Sequence, residues 1–305
     1  MAATKKRKLT LEFPSDGITQ PESLDLPPFV QKGNPFDEYV DIYEVSSGAF
    51  SSVYQASSRS GDNKKAIKVL NAGHNRTDKI LKALKEAKIG LQIKHLNILS
   101  IDEVWYDGTR FFFVMKLITP ISISSLPKSL KEKIVLFQQL VLAAAHLHSI
   151  GILHRDIKVQ NTGIILDGTQ KLVLFDFGEA CEISDHCHQC VGTALHMSPE
   201  VLKFYQYSDR SEIWALMSFL IEILTGKPMI LHLFDGLLGS ISALYVQLKI
   251  DSLSEPPIPA VFKIDKTPYG KLLLQILEKG LTIAPEERLT FPELELFLQE
   301  LIALL

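Results

Sequence analysis

The chain has 305 residues, 46% hydrophobic and 22% charged, which is enough to build one large domain or two lobes around a substantial core. Its formal net charge of -3 exerts no whole-chain pull toward nucleic acid or an anionic membrane, so neither is expected as a partner. Only three cysteines are present, Cys181, Cys187 and Cys190. They are too few and too clustered for a secreted disulfide scaffold, and point to a reducing, intracellular setting.

Residues 1–36 are polar and rich in proline without sustained periodicity, and read as a flexible tail. No apolar stretch near the N-terminus resembles a signal peptide. The run Lys5-Lys6-Arg7-Lys8 reads either as a nuclear-import signal or as a solvated terminal charge cluster. From 37 to about 116 the pattern is β-rich. Tyr43-Glu44-Val45 and Val53-Tyr54-Gln55-Ala56 flank a Gly/Ser turn, and Lys65 to Leu70 forms a further strand. Val104-Trp105-Tyr106, Asp107-Gly108 and Phe111 to Met115 read as a hairpin. One helix interrupts the strands, roughly Thr77 to Lys94.

Beyond 118 the chain turns helical. Leu130 to Ser149, Ile213 to Leu224, Leu272 to Gly280 and Phe291 to Leu305 are the expected helices, with Gly226 closing the second. Ile134 to Leu153 carries no Asp, Glu, Lys or Arg, but its Gln138, Gln139, His146 and His148 suit a buried helix better than a bilayer span. A β-rich island, Gly163 to Leu166 and Lys171 to Leu174, separates the first two helices. The fold class is therefore α+β: a small β-rich N-lobe (37–117) followed by a large helical C-lobe (118–305).

Two segments carry the chemistry. One is His154-Arg155-Asp156-Ile157-Lys158-Val159-Gln160-Asn161, and the other is Asp176-Phe177-Gly178. Phosphoryl transfer needs a carboxylate near the attacking hydroxyl and oxygen ligands for magnesium on the phosphates. Asp156 suits the first task; Asn161 and Asp176 suit the second.

These segments match, in order, the H-R-D-x-x-x-x-N and D-F-G elements of protein kinases. From about residue 37 to the C-terminus the chain resembles a eukaryotic-type serine/threonine protein kinase, which implies a bilobal fold and the cofactors ATP and Mg2+. Lys65-Ala66-Ile67-Lys68 resembles the V-A-I-K strand, so the likeness assigns Lys68 to the α/β-phosphates and Glu86 to an ion pair with it. Val45, Ser46, Ser47, Gly48, Ala49, Phe50, Ser51, Ser52 and Val53 correspond to the phosphate-covering loop. Ala66, Met115 and Leu117 correspond to the walls and hinge around adenine. Ser198-Pro199-Glu200 resembles the A-P-E motif, and Arg288 the arginine that pairs with its glutamate. Lys158, two residues beyond Asp156, and Gly192-Thr193 resemble the serine/threonine class. That implies a protein substrate with a Ser or Thr acceptor, and a lysine that neutralises the transferring phosphoryl group.

The chain departs from the pattern at several points. Only Gly48 remains of three loop glycines, Ser46 and Ser51 holding the other positions; serine there stiffens the cover over the phosphates. Glu212 stands where the family has Asp, and His196 where many members have Tyr. The stretch Gly48 to Tyr54 is similar to the loop of the replication-initiating cell-division-cycle kinase, and that likeness implies a regulatory activator subunit. His186-Cys187-His188-Gln189-Cys190 reads as part of a mobile segment with incidental thiols, or as zinc ligands. Two competing functions are a pseudokinase scaffold, suggested by the serine-rich loop, and a small-molecule phosphotransferase, against which Glu200 and Arg288 argue.

Overall fold

The computed structural model describes residues 26–48, 51–59, 64–71, 76–165, 171–185, 189–233, 246, 250 and 252–305. The chain divides into two compact units, one of Met1–Gln92 with Leu99–Ile118, the other of Ile93–Ile98 with Thr119–Leu305.

The first unit is built on a six-stranded sheet of order β1-β5-β6-β4-β3-β2. Its strands are β1 (Val30–Lys32), β2 (Tyr39–Ser47), β3 (Ser51–Ser58), β4 (Lys64–Asn71), β5 (Ile101–Tyr106) and β6 (Arg110–Lys116). The β5–β6 hairpin turns at Asp107-Gly108, where Gly108 takes φ +99, a conformation that favours glycine. Asp107 Oδ1 accepts the backbone N–H groups of Thr109 and Arg110 at 2.9 and 2.8 Å. Helix α1 (Arg76–Gln92) lays Ile80, Ala83 and Ala87 against Val104, Tyr106, Phe111 and Phe113. Gly90 admits the close approach of Ile101, because a Cβ there would stand 2.5 Å from the Ile101 Cδ1. The other face of the sheet gathers Phe36, Tyr39, Tyr54, Ile67, Phe112 and Val114.

Two boundaries differ from the sequence reading. The tail assigned to 1–36 ends earlier: β1 pairs in parallel with β5, Val30 opposite Val104, and Val30 and Phe36 are buried. A three-residue strand is too short to show alternation, so its apolar residues pass for a proline-rich linker. Residues 93–98, placed by sequence in the N-lobe, belong to the second unit. Asn97 Nδ2 donates to the Leu172 carbonyl at 2.8 Å and to Gln139 Oε1 at 3.0 Å.

The second unit is helical. After β7 (Ile118–Pro120) come α2 (Leu130–Ser149), α3 (Pro199–Phe204), α4 (Asp209–Thr225), α5 (Val261–Ile264), α6 (Pro268–Gly280) and α7 (Phe291–Leu304). Ser129, Ser208, Thr267 and Thr290 cap α2, α4, α6 and α7 through their hydroxyls, satisfying N–H groups the helices leave open. Gly226 ends α4 at φ +81, its N–H bonded to the Glu222 carbonyl at 2.8 Å. Helix α4 buries almost every apolar side chain, and α2 buries a face that includes Ile134, Phe137, Leu140, Val141 and Leu147, with Phe137 stacked on Phe219. That explains α2's lack of charge over its last four turns. Among the described residues no helix is long and apolar enough to cross a membrane. Two small sheets complete the unit: a three-stranded one of order β10-β9-β7, with β9 (Thr162–Ile165) antiparallel to β10 (Leu172–Leu174), and the antiparallel pair of β8 (Ile152–Leu153) with β11 (Cys181–Glu182). The two-residue pair escaped the sequence reading, since two residues define no period.

Candidate active site

In the first unit, β3, β4 and β6 set Val53, Lys68 and Phe113 in one row, and Ala66 beside Met115. Lys68 comes from the central strand of this stack. Its Nζ meets Glu86 Oε1 of α1 at 2.7 Å, with the side chains 18% and 7% exposed. A buried carboxylate without a cation would be costly, so the pair fixes the position of both groups. Leu117 follows β6 and is partly buried. At the β2–β3 turn, Ser46 faces Val53 and Ser47 faces Ser52. The Ser47 and Ser52 hydroxyls lie 3.1 Å apart, and the Gly48 N–H donates to the Ser51 carbonyl at 2.8 Å. Val45 to Gly48 are exposed. Ala49 and Phe50 lie outside the described residues.

In the second unit, the segment after β8 carries the candidate acid–base groups. Asp156 sits under three donors. Lys158 Nζ reaches Oδ2 at 2.7 Å, Asn161 Nδ2 reaches Oδ2 at 2.9 Å, and the Thr193 hydroxyl donates to Oδ1 at 2.7 Å. Lys158 Nζ also donates to Thr193 Oγ1 at 2.7 Å. Burial alone would raise the Asp156 carboxyl. The bonds from Lys158 and Thr193 and the lysine charge outweigh it and hold the group below the ordinary carboxylate range. Asp156 is therefore ionised at neutral pH.

His154 joins this segment to the next. The Asp156 N–H donates to its Nδ1 at 3.3 Å, so Nε2 carries the proton and donates to the Phe175 carbonyl at 3.1 Å. Burial lowers the His154 pKa and keeps the ring neutral, as that tautomer requires. The Phe175 N–H in turn bonds the Asn161 carbonyl at 3.0 Å, which brings Asp176 next in chain to a residue tied to Asn161. Arg155 and Asp176 take left-handed backbone, at φ +65 and +70. Such strain in non-glycine residues clusters at functional positions. Asp176 is exposed. The donor set it forms with Asn161, one carboxylate and one amide oxygen, suits magnesium, a hard cation that keeps several waters. Asn161 spends its Nδ2 hydrogens on Asp156, which leaves Oδ1 as the atom for a cation.

Glu212, at the start of α4, anchors the catalytic segment from below. Its Oε1 accepts the N–H groups of His154 and Arg155 at 2.7 and 2.9 Å. The longer side chain thus reaches the catalytic loop from the position where the resembled pattern has Asp. Complete burial pushes its pKa up to about 7, against the lowering effect of the two N–H bonds. Arg288 is buried against Glu200, with Nη1–Oε1 at 2.7 Å and Nη2–Oε2 at 3.1 Å, and its guanidinium faces the Trp214 ring. His196 is buried too: its Nδ1 lies 2.9 Å from Ser218 Oγ, and its Nε2 lies 3.7 Å from Glu222. Sequence reasoning named His154 only as part of its motif, and missed Ser218 and Glu222. A polar residue in a helix as apolar as α4 was the available signal.

Cys181 is buried and disulfide-bonded, contrary to the expectation of thiols, and Cys190 is free and exposed. His186, Cys187 and His188 lie outside the described residues, as does the Lys5–Lys8 run. Among the described residues no cluster of metal-ligating side chains is found.

The family described as "Protein kinase domain" matches residues 39–296. Among similar proteins, serine/threonine-protein kinase Nek1 of Mus musculus is 28% identical over 279 residues, 85% of this chain and 22% of its own. Serine/threonine-protein kinase SULU of Caenorhabditis elegans is 28% identical over 85% of this chain and 26% of its own. Serine/threonine-protein kinase PrkC of Bacillus subtilis is 30% identical over 65% of this chain and 31% of its own. The matched region spans less than a third of the length of each of these relatives.

Proposed function

The chain belongs to the protein kinase domain family, and we propose that it transfers the γ-phosphoryl group of ATP to serine or threonine hydroxyls of a protein. The observation that carries this reading is the hydrogen bond from the Thr193 hydroxyl to Asp156 Oδ1, with Lys158 bonded to both residues. An ionised carboxylate already accepts an alcohol proton in the geometry an incoming Ser or Thr would need.

Asp156 orients the acceptor hydroxyl and takes its proton as the bond to phosphorus forms. Because the transition state is loose, its main service is alignment. Lys158 supplies positive charge where the transferring group develops negative charge. Lys68, held by Glu86, positions the α/β-phosphates; Val45, Val53, Ala66, Met115 and Leu117 form the apolar surround of adenine; Ser46 to Ser52 cover the phosphates. Asn161 and Asp176 would hold magnesium, which when bound would neutralise charge on the phosphates. Glu200 with Arg288 braces the segment that faces a peptide, which favours a protein over a small-molecule acceptor. A second reading, a scaffold without catalysis, draws on Ser46 and Ser51 in place of loop glycines. The likeness of Gly48 to Tyr54 to the replication-initiating cell-division-cycle kinase supports a cell-cycle role with an activator subunit, and the Lys5–Lys8 run supports a nuclear site of action.

The test is transfer from γ-labelled ATP with magnesium to a generic basic protein, and separately to sugars and aminoglycosides. Label on protein Ser or Thr, absent with Asp156→Asn, is expected. Label on the small molecules alone, or none with the wild type, would overturn the reading.

A further inference from the structure

We propose that Tyr207 is a positioning residue, which seats Val191–Thr193 against the catalytic loop without any phosphate on that segment. The inference rests on the kinase reading, because it concerns how the substrate-facing segment reaches Asp156. Tyr207 lies between α3 and α4, and its hydroxyl meets one residue twice. It accepts the Val191 N–H at 3.0 Å and donates to the Val191 carbonyl at 2.6 Å, so both backbone polar groups of Val191 are occupied by a single side chain. Burial, first among its influences, raises the Tyr207 pKa, which keeps the hydroxyl a donor at neutral pH.

The consequence is carried along the next two residues. Gly192 follows at φ +98, and a Cβ there would run into the Arg155 carbonyl; the segment passes as close to the catalytic loop as backbone allows. Thr193 then bonds Asp156 and Lys158. Clasp, close approach and threonine bond fall on three successive residues and set one register.

The same tyrosine engages Arg155. The guanidinium lies 5.1 Å from the Tyr207 ring centroid, and its Nε donates to the Glu179 carbonyl at 2.6 Å. An arginine beside a flexible segment is the group that a phosphorylated residue would recruit to order it. Here an aromatic face and a backbone carbonyl hold it. Between Gly178 and Ser198 the sequence offers two hydroxyls, Thr193 and Ser184. Thr193 is bonded to Asp156, so Ser184, which is exposed, is left as the site a phosphate would use.

The test compares wild type with Tyr207→Phe, which keeps the ring over Arg155 and removes the hydroxyl. Hydrogen exchange of the peptide covering Val191–Thr193 is expected to quicken at least ~10-fold, the equivalent of losing hydrogen bonds worth about a kcal/mol each. The KM for a protein substrate is expected to rise and kcat to fall, together by ~10–100-fold in kcat/KM, with the KM for ATP within ~2-fold. Phosphatase-treated wild type and Ser184→Ala are expected to keep full activity. Unchanged exchange in Tyr207→Phe, or a matching loss of ATP and protein affinity, would overturn the positioning role. Loss of activity on dephosphorylation, restored by rephosphorylating Ser184, would overturn the phosphate-free seating. A wild type that transfers nothing defeats the kinase reading, and the exchange comparison still decides whether Tyr207 holds the segment.

Discussion

Asp156 is surrounded by groups that each have one task, and substitutions separate them. Asp156→Asn preserves shape and removes charge and basicity. The kcat is expected to fall by ~10²–10⁴, while ATP binding changes little, as nucleotide titration alongside single-turnover transfer will show. Lys68→Ala removes the ammonium that Glu86, 7% exposed, meets at 2.7 Å. Transfer is expected to fall strongly through lost phosphate positioning. Equal turnover in wild type and Lys68→Ala would remove Lys68 from the mechanism. The residue names in these motifs are legible in sequence because the chemistry tolerates few substitutes. The hydrogen bond from Thr193 to Asp156 is not, since 37 residues separate the partners.

Elements hold the loops in place, and α4 does most for the second unit. Its Glu212 reaches up to two backbone N–H groups of the catalytic segment, and its raised pKa of about 7 has a consequence for stability. A buried carboxyl raised above its unfolded value binds more protons in the folded than in the unfolded state between the two values. Its contribution is therefore favourable at low pH and is lost as pH rises from about 4.5 toward 7. Glu212→Gln keeps an acceptor for both N–H groups and cannot ionise. Relative to wild type, its stability is expected to increase over that window, by up to about 3 kcal/mol, measured by urea denaturation at a series of pH values. A pH-independent difference would show that Glu212 does not titrate there. The ion pair of Glu200 with Arg288 gives a second case. Arg288→Met strips a buried carboxylate of its partner, and a loss of about 3–5 kcal/mol is expected; the double variant Glu200→Gln with Arg288→Met should recover part of it.

Across the whole molecule, the groups proposed for nucleotide phosphates lie in the first unit and those proposed for the acceptor hydroxyl in the second. The first unit depends on residues that composition assigned to a tail. Val30, 8% exposed, is the buried residue of β1 and packs with Val104 and Tyr106. Removing residues through Gly33 deletes β1 and leaves β5 as a bare edge. A loss of about 2 kcal/mol is expected from the buried valine and its strand, read as a lower midpoint in urea, with a greater tendency to self-associate. No change in midpoint would mean that β1 contributes nothing.

Length, hydrophobic period and a handful of motifs were enough to read a β-rich unit followed by a helical one, with one helix end marked by Gly226, because periods and helix-ending glycines are local properties of the chain. Lys68, Asp156, Asn161 and Asp176 could be named as candidates for a related reason: each sits in a short segment that matches a family motif. Only the tertiary structure decided which side chains meet across long separations. Glu212 reaches residues 57 and 58 positions away, Arg288 finds Glu200 across 88, and Tyr207 closes on Val191. None of these pairings leaves a periodic or compositional trace, because a single hydrogen bond constrains two residues and nothing between them. The short strands β1, β8 and β11 were equally silent, since their backbone bonds come from partners elsewhere in the fold.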